Sequence, residues 1–349
     1  MSKHPYVPLF EITRGQTLES IHFGAAAVVD SNGKLIASVG DPQVVTFMRS
    51  SAKPFQALPF IEAGGDKTYN LSAAEIALIC SSHSGTDEHY LTAHNLQAKA
   101  GLDESQLMCG IHPPYDTATS NALTQRGEEP TANRHNCSGK HTGMLAYAQS
   151  QSWPLQNYLD QEHPVQRAIL NSFAALCGLP PDQVSQGIDG CSAPNFAVPL
   201  YRAARAFALL ADPSSLPQGR AAACHTIAQS MVSHPEMVGG PGRFDTQLIK
   251  AGNGKLVVKG GAEGYQCVGL LPGALGKDSP ALGIAIKISD GDHKLRARPA
   301  VTIEVLRQLG ALSPQQLSDL KDFGPAIPVY NWRKLVVGES HPCFTLERN

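Results

Sequence analysis

Across residues 20–39 the apolar and polar positions read as two β segments on either side of Ser31-Asn32-Gly33-Lys34. The Asn-Gly pair accepts the positive φ angles of a tight hairpin. From there to about residue 251, apolar residues recur at spacings of three and four, the period of helices buried on one side. Ser72-x-x-Glu75 forms a capping box opening 73–80, and Thr86-Asp87 opens a helix ending near Gly101. Further helices are expected at 140–149, 164–177, 196–210, 220–233 and 244–251, with Gly178 a natural stop for the second of these. Strands return at 255–259, 265–271 and 282–288, and a last helix, 298–309, has Val301, Ile303, Val305, Leu306 and Leu309 to bury. Strands at both ends with helices between predict an α+β fold. One antiparallel sheet is built from both termini and flanked by helices, with a helical insertion. We read residues 1–349 as a single catalytic domain, with a sheet subregion at 15–50 and 255–349 and a helical subregion at 51–254.

Composition narrows the function classes. Of 349 residues, 42% are hydrophobic and only 17% charged, which excludes a disordered chain, and a net charge of −2 gives no general attraction to nucleic acid or an anionic membrane. No G-x-G-x-x-G and no Gly-Lys followed by Ser or Thr occurs, so dinucleotide and P-loop binding are not expected. The eight cysteines, Cys80, Cys109, Cys137, Cys177, Cys191, Cys224, Cys267 and Cys343, contain no C-x-x-C pair, which argues against a ribbon or finger zinc site. Pro5, Pro8, Glu11 and Arg14 stand where a signal peptide would need an apolar run, so a cytoplasmic protein with reduced thiols is expected.

Chemistry enters at Arg49-Ser50-Ser51-Ala52-Lys53-Pro54, where the hairpin gives way to helical sequence. Residues three apart share a helix face, so a desolvated Lys53 amine can reach the Ser50 hydroxyl and accept its proton, making an acylating serine. The same S-x-x-K spacing also occurs at Ser31 to Lys34, in a turn, and at Ser318 to Lys321. Two segments distinguish the Ser50 match. Lys259-Gly260-Gly261 follows an expected strand, as K-T-G does in penicillin-binding proteins. Cys80-Ser81-Ser82-His83-Ser84-Gly85 supplies the serine-rich turn, without the Asp and Asn of S-D-N. Ser82 can relay a proton between Ser50 and Lys259, or serve as a capping hydroxyl.

His135-Asn136-Cys137-Ser138-Gly139-Lys140-His141 and Asp189-Gly190-Cys191 bring two thiols that suit Zn²⁺ if they meet in space; a buried structural role is the alternative. The remaining cysteines, and the histidines other than His83, read as structural. In Gly239-Gly240-Pro241-Gly242-Arg243-Phe244-Asp245, Arg243 can grip a carboxylate with two hydrogen bonds or pair locally with Asp245.

Together, R-S-S-A-K-P, C-S-S-H-S-G, H-N-C-S-G-K-H-T-G-M, I-D-G-C-S-A-P and G-G-P-G-R-F-D resemble the Rhizobium-type, thermolabile L-asparaginases from about Arg14 to Ile288. The resemblance implies a serine β-lactamase-like fold, usually dimeric, that hydrolyses L-asparagine to L-aspartate and ammonia. Ser50 would be the nucleophile, Lys53 its partner, and Ser82 and Lys259 the second Ser-Lys pair. Zn²⁺ would be held by Cys137, Cys191 and Lys140, with His135 or His141 more ordinary as a fourth ligand. The substrate's carboxylate and amino groups need opposite charges, for which Arg49 or Arg243, and Asp189, stand ready; His83 can add a hydrogen bond. Two other classes share these motifs: a β-lactamase or D-alanyl peptidase, and a non-catalytic zinc or amino-acid binding protein.

Overall fold

The computed structural model describes residues 4–349. They form two compact units, one of residues 4–49, 198–212 and 251–349 and the other of 50–197 and 213–250.

The first unit is a nine-stranded sheet in which every pairing is antiparallel. Its strands are β1 (Val7–Arg14), β2 (Thr17–Asp30), β3 (Leu35–Val39), β4 (Leu256–Gly260), β5 (Tyr265–Leu270), β6 (Leu282–Ile288), β7 (Ile327–Tyr330), β8 (Val336–Pro342) and β9 (Glu347–Arg348). Across the sheet the order is β7-β8-β1-β2-β6-β5-β4, with β3 on β2 and β9 on β3. The expected sheet from both termini is thus present, and the hairpin of β2 and β3 turns at Gly33, whose φ is 89°.

Four strands of this sheet went unread in the sequence. Proline cannot donate to a ladder, so Pro8 argues against an inner strand, yet β1 lies between β8 and β2 and places Pro8 beside a register shift. The other three are β7, β8 and β9; β7 carries Pro328 and is half exposed, and β9 is two residues long.

The expected helix at 196–210 is corrected. Residues Pro194–Pro199 are a strand, and the helix is Leu200–Ala211. Pro199 sits at ψ 140°, an extended conformation, so the helix begins only after it. The capping boxes at Ser72 and Thr86 and the helix Pro164–Cys177, closed by Gly178 at φ 67°, are as expected.

β6 is buried at all of its positions, so both faces are covered. Ile284, Ile286 and Ile288 occupy one face, and the other carries Gly283 and Ala285 against helix Leu200–Ala211. A Cβ at Gly283 would stand 1.8 Å from the Ala204 carbonyl oxygen and 2.5 Å from the Ala208 nitrogen, so the close approach requires glycine.

The second unit is mainly helical. Within it, helix Ala73–Ile79 packs against helix Ser138–Ser150. Gly139 and Gly143, four apart on one face, let the helices touch: a Cβ at Gly139 would lie 2.4 Å from the Leu78 carbonyl oxygen, and one at Gly143 2.7 Å from Ile79. The end of the first helix is thereby pinned to the start of the second.

Replacing Gly283 by Ala forces backbone apart on a covered face, and we expect a loss of roughly 3 kcal/mol of unfolding free energy. Urea denaturation checks it, and a wild-type midpoint would refute the packing.

Candidate active site

The site of the second unit is assembled where three chain segments meet at helix ends. Arg49 has a φ of 51°, a left-handed conformation that costs an L-residue of order 1–3 kcal/mol. It passes the chain into Ser50, which is half-buried in the single turn Arg49–Ala52, and then into helix Lys53–Glu62. Lys53 is 1% exposed. Its Nζ donates to the Ser81 carbonyl at 2.5 Å and the Asn136 carbonyl at 3.1 Å, and lies 3.1 Å from Ser82 Oγ.

These partners define what the amine can do. Two carbonyls only accept, so two N–H groups are committed to them. The third direction faces Ser82, whose hydroxyl accepts from an ammonium or donates to a neutral amine. Either protonation state is therefore satisfied without moving a heavy atom.

The serine-rich turn and the glycine-dense loop, separate in sequence, form one assembly. Ser82 N–H donates to the Val238 carbonyl at 3.0 Å and Ser84 Oγ to the Gly239 carbonyl at 2.8 Å. Gly240, at φ 118°, leaves room for Ser84, because a Cβ there would meet Ser84 Oγ at 2.6 Å. His83 is fully buried: one ring nitrogen is 2.9 Å from Ser138 Oγ and the other accepts from Gly85 N–H. Burial, with His89 and Lys53 nearby, keeps the ring well below the usual histidine range. Its hydrogen bonds are spent inside the protein.

The two thiols come together at the start of helix Ser138–Ser150. Cys137 stands at the N-cap, and Lys140 one turn later is 2.9 Å from Cys191 Sγ. A hydrogen bond with Cys191, against the opposing effect of burial and with help from Lys53 and Lys140, holds the Cys137 thiol well below its usual range. Burial would lower the Lys140 amine, but the Cys191 and Cys137 sulfurs outweigh it and raise it. Cys109, near the same group, is pushed up to about 12 by burial. Asp189 precedes Cys191 in a turn closed by Ser192, at φ 67°, and lies close enough to Lys140 to add to its raised pKa.

Among the described residues no group of three or more His, Cys, Asp and Glu side chains is placed to hold a metal. With Lys140 as the third donor the set fits zinc: two thiol sulfurs in hydrogen-bond contact and an amine against one of them. A metal there displaces their protons. His141 commits Nδ1 to the Tyr158 hydroxyl at 2.7 Å and its ring also faces Cys191; His135 Nδ1 accepts from Cys137 N–H.

Arg243 holds its guanidinium 5.6 Å from the Tyr115 ring centre. In the sheet unit, Lys259 is fully buried on β4 and donates to the Gly260 carbonyl at 2.7 Å, and Arg49 lies 3.8 Å from Glu263. The sequence missed the carbonyls of Ser81 and Asn136, which carry no residue-type signature, and His112, which bonds Asn136 N–H.

A family model described as L-asparaginase II matches residues 10–342. No curated protein matches the chain. Among solved structures, the Bacillus subtilis glutaminase YbgJ in covalent complex with 5-oxo-L-norleucine aligns at 12% identity and TM-score 0.39, covering 83% of this chain and 89% of that one. A Bacillus glutaminase crystallised in 4.3 M NaCl aligns at 11% and 0.35, covering 86% and 89%. The structure titled Mglu aligns at 14% and 0.34, covering 83% and 67%. Likeness at this level carries no weight for function.

Burial holds His135 and His141 at about 4, below the ordinary 6.5, so folding favours their neutral forms. The stability this gives is fully present above pH 6.5 and is lost as pH falls through about 4. We expect the urea midpoint to drop between neutral pH and about pH 4.5, and His141→Gln to flatten that drop. An identical pH dependence in the variant would refute a buried neutral His141.

Proposed function

Because the chain belongs to the L-asparaginase II family and is an amidohydrolase, we propose that it hydrolyses the side-chain amide of L-asparagine to L-aspartate and ammonia through a serine acyl-enzyme. The observation that carries this reading is the Lys53 amine, buried and held against Ser82 at the head of the helix that follows Ser50.

Ser50 Oγ attacks the amide carbon while its proton passes to the neutral Lys53 Nζ, and backbone N–H groups hold the tetrahedral oxyanion. Ser82, 3.1 Å from Lys53, relays a proton to the nitrogen as the C–N bond breaks and ammonia leaves. Water then gives a proton to the same base and attacks the β-aspartyl ester, restoring Ser50 and releasing aspartate. Lys259 keeps the role its Lys-Gly-Gly motif implies, the second amine of the proton route. Arg243 and Asp189 supply the opposite charges that the substrate's carboxylate and amino groups require.

Cys137, Cys191 and Lys140 would hold zinc. When bound, the ion supplies fixed positive charge that orients substrate. The proton transfers above belong to Ser50, Lys53 and Ser82.

Ser50→Ala is expected to cut ammonia release by at least about a thousandfold while circular dichroism stays unchanged. Most of the turnover surviving would remove Ser50 as nucleophile. Asparagine should exceed glutamine in kcat/KM by at least about tenfold, the discrimination one methylene allows; a preference for glutamine would overturn the substrate assignment. Elemental analysis of protein purified without chelators should find about one zinc per chain, falling in Cys191→Ala, and less than about a tenth of an equivalent discards a tight site.

A further inference from the structure

Two histidines grip the backbone that faces Lys53. His112 Nδ1 lies 2.6 Å from the Pro113 carbonyl oxygen, which only accepts, so Nδ1 carries the ring proton. Nε2 is left as an acceptor and takes the Asn136 N–H at 3.1 Å. Asn136 Oδ1 lies farther from the same nitrogen, at 3.3 Å, and as two acceptors the pair makes no hydrogen bond in this tautomer. One residue on, His135 Nδ1 accepts the Cys137 N–H at 3.0 Å. Asn136 therefore has its own N–H and the one that follows each held by an imidazole, and the carbonyl between them is the acceptor for Lys53 Nζ at 3.1 Å.

The rings are themselves fixed. Their centres are 4.3 Å apart, and His112 stacks on Tyr115 at 4.6 Å, with the Arg243 guanidinium on that tyrosine. His112 is only half-buried, between exposed Ile111 and Pro113, so filling the core does not account for it.

We propose that His112 and His135 are positioning residues, which hold the Asn136 carbonyl so that Lys53 presents its third direction to the serines. The proposal rests on the reading of Lys53 as the proton acceptor of Ser50. With the Asn136 peptide free to turn, Lys53 loses one of its two carbonyl anchors and its amine can swing off line. A misaligned base slows proton transfer while leaving substrate binding intact.

The test uses His112, remote in sequence from the thiols. His112→Leu removes the acceptor and keeps bulk; His112→Gln keeps an acceptor oxygen near the Nε2 position. We expect His112→Leu to lower kcat for ammonia release about tenfold, the worth of one such hydrogen bond, with KM within about threefold and zinc content unchanged. His112→Gln should recover most of kcat. An unaltered kcat in His112→Leu, a change confined to KM, or equal loss in both variants would overturn the proposal. Should neither variant fold, ¹⁵N-histidine spectra of the unsubstituted protein decide it: a proton on Nδ1 with a bare Nε2 at His112 agrees, and the opposite tautomer refutes. Ser50→Ala separates the two readings. If it is inactive while His112→Leu is normal, only the positioning role fails; if it stays active, the nucleophile assignment fails first.

Discussion

The site of the helical unit depends on one buried amine. A lysine that is 1% exposed keeps its hydrogens only by finding partners for them, and Lys53 finds two carbonyls and one hydroxyl. Carbonyls cannot donate, so two of its hydrogens are fixed on Ser81 and Asn136. This arrangement fixes the direction of an otherwise flexible side chain. It also ties three distant stretches, at residues 53, 81–82 and 136, to a common point.

Bringing those stretches together is a packing problem before it is a chemical one. Helices Ala73–Ile79 and Ser138–Ser150 approach closely because Gly139 and Gly143 remove the Cβ atoms that would strike Leu78 and Ile79. The chain leaving the first helix then delivers Ser81 and Ser82 beside the chain entering the second, Asn136 and Cys137. The glycine-dense loop completes the enclosure by taking hydrogen bonds from Ser82 and Ser84. Glycines that look like loop punctuation thus let the segments carrying Ser82 and Asn136 approach one another.

The same junction concentrates charge. Cys137, at a helix N-terminus beside two lysine amines, is held toward the thiolate, whereas Cys109 nearby is pushed the other way by burial and by the Cys137 and Cys191 sulfurs. Two buried thiols of one chain are therefore shifted in opposite directions, decided by which cations and donors face them. His135 and His141 are kept neutral in the same neighbourhood, which preserves their lone pairs for accepting hydrogen bonds.

Much of this was determined by residue type and spacing alone. Period-two and period-three-to-four patterns located strands β4, β5 and β6, and Ser72, Thr86 and Gly178 marked helix ends because caps are local chemistry. Ser50, Lys53, Ser82, Cys137 and Cys191 stood out as candidates because hydroxyls, amines and thiols announce their chemistry by name, and Lys140 through the family resemblance. Tertiary structure decided what is not written in residue names. Peptide carbonyls are the same at every position, so nothing in the sequence marks those of Ser81 and Asn136 as the partners of Lys53. The role of His112 needs a backbone N–H from a segment 24 residues away. His83 reads as a turn residue until burial commits both of its nitrogens. β1, interrupted by Pro8, becomes an inner strand only because neighbours from both ends of the chain, β2 and β8, lie on either side of it. Local propensity acts over a few residues, whereas these features arise from contacts between segments that only the folded chain brings together.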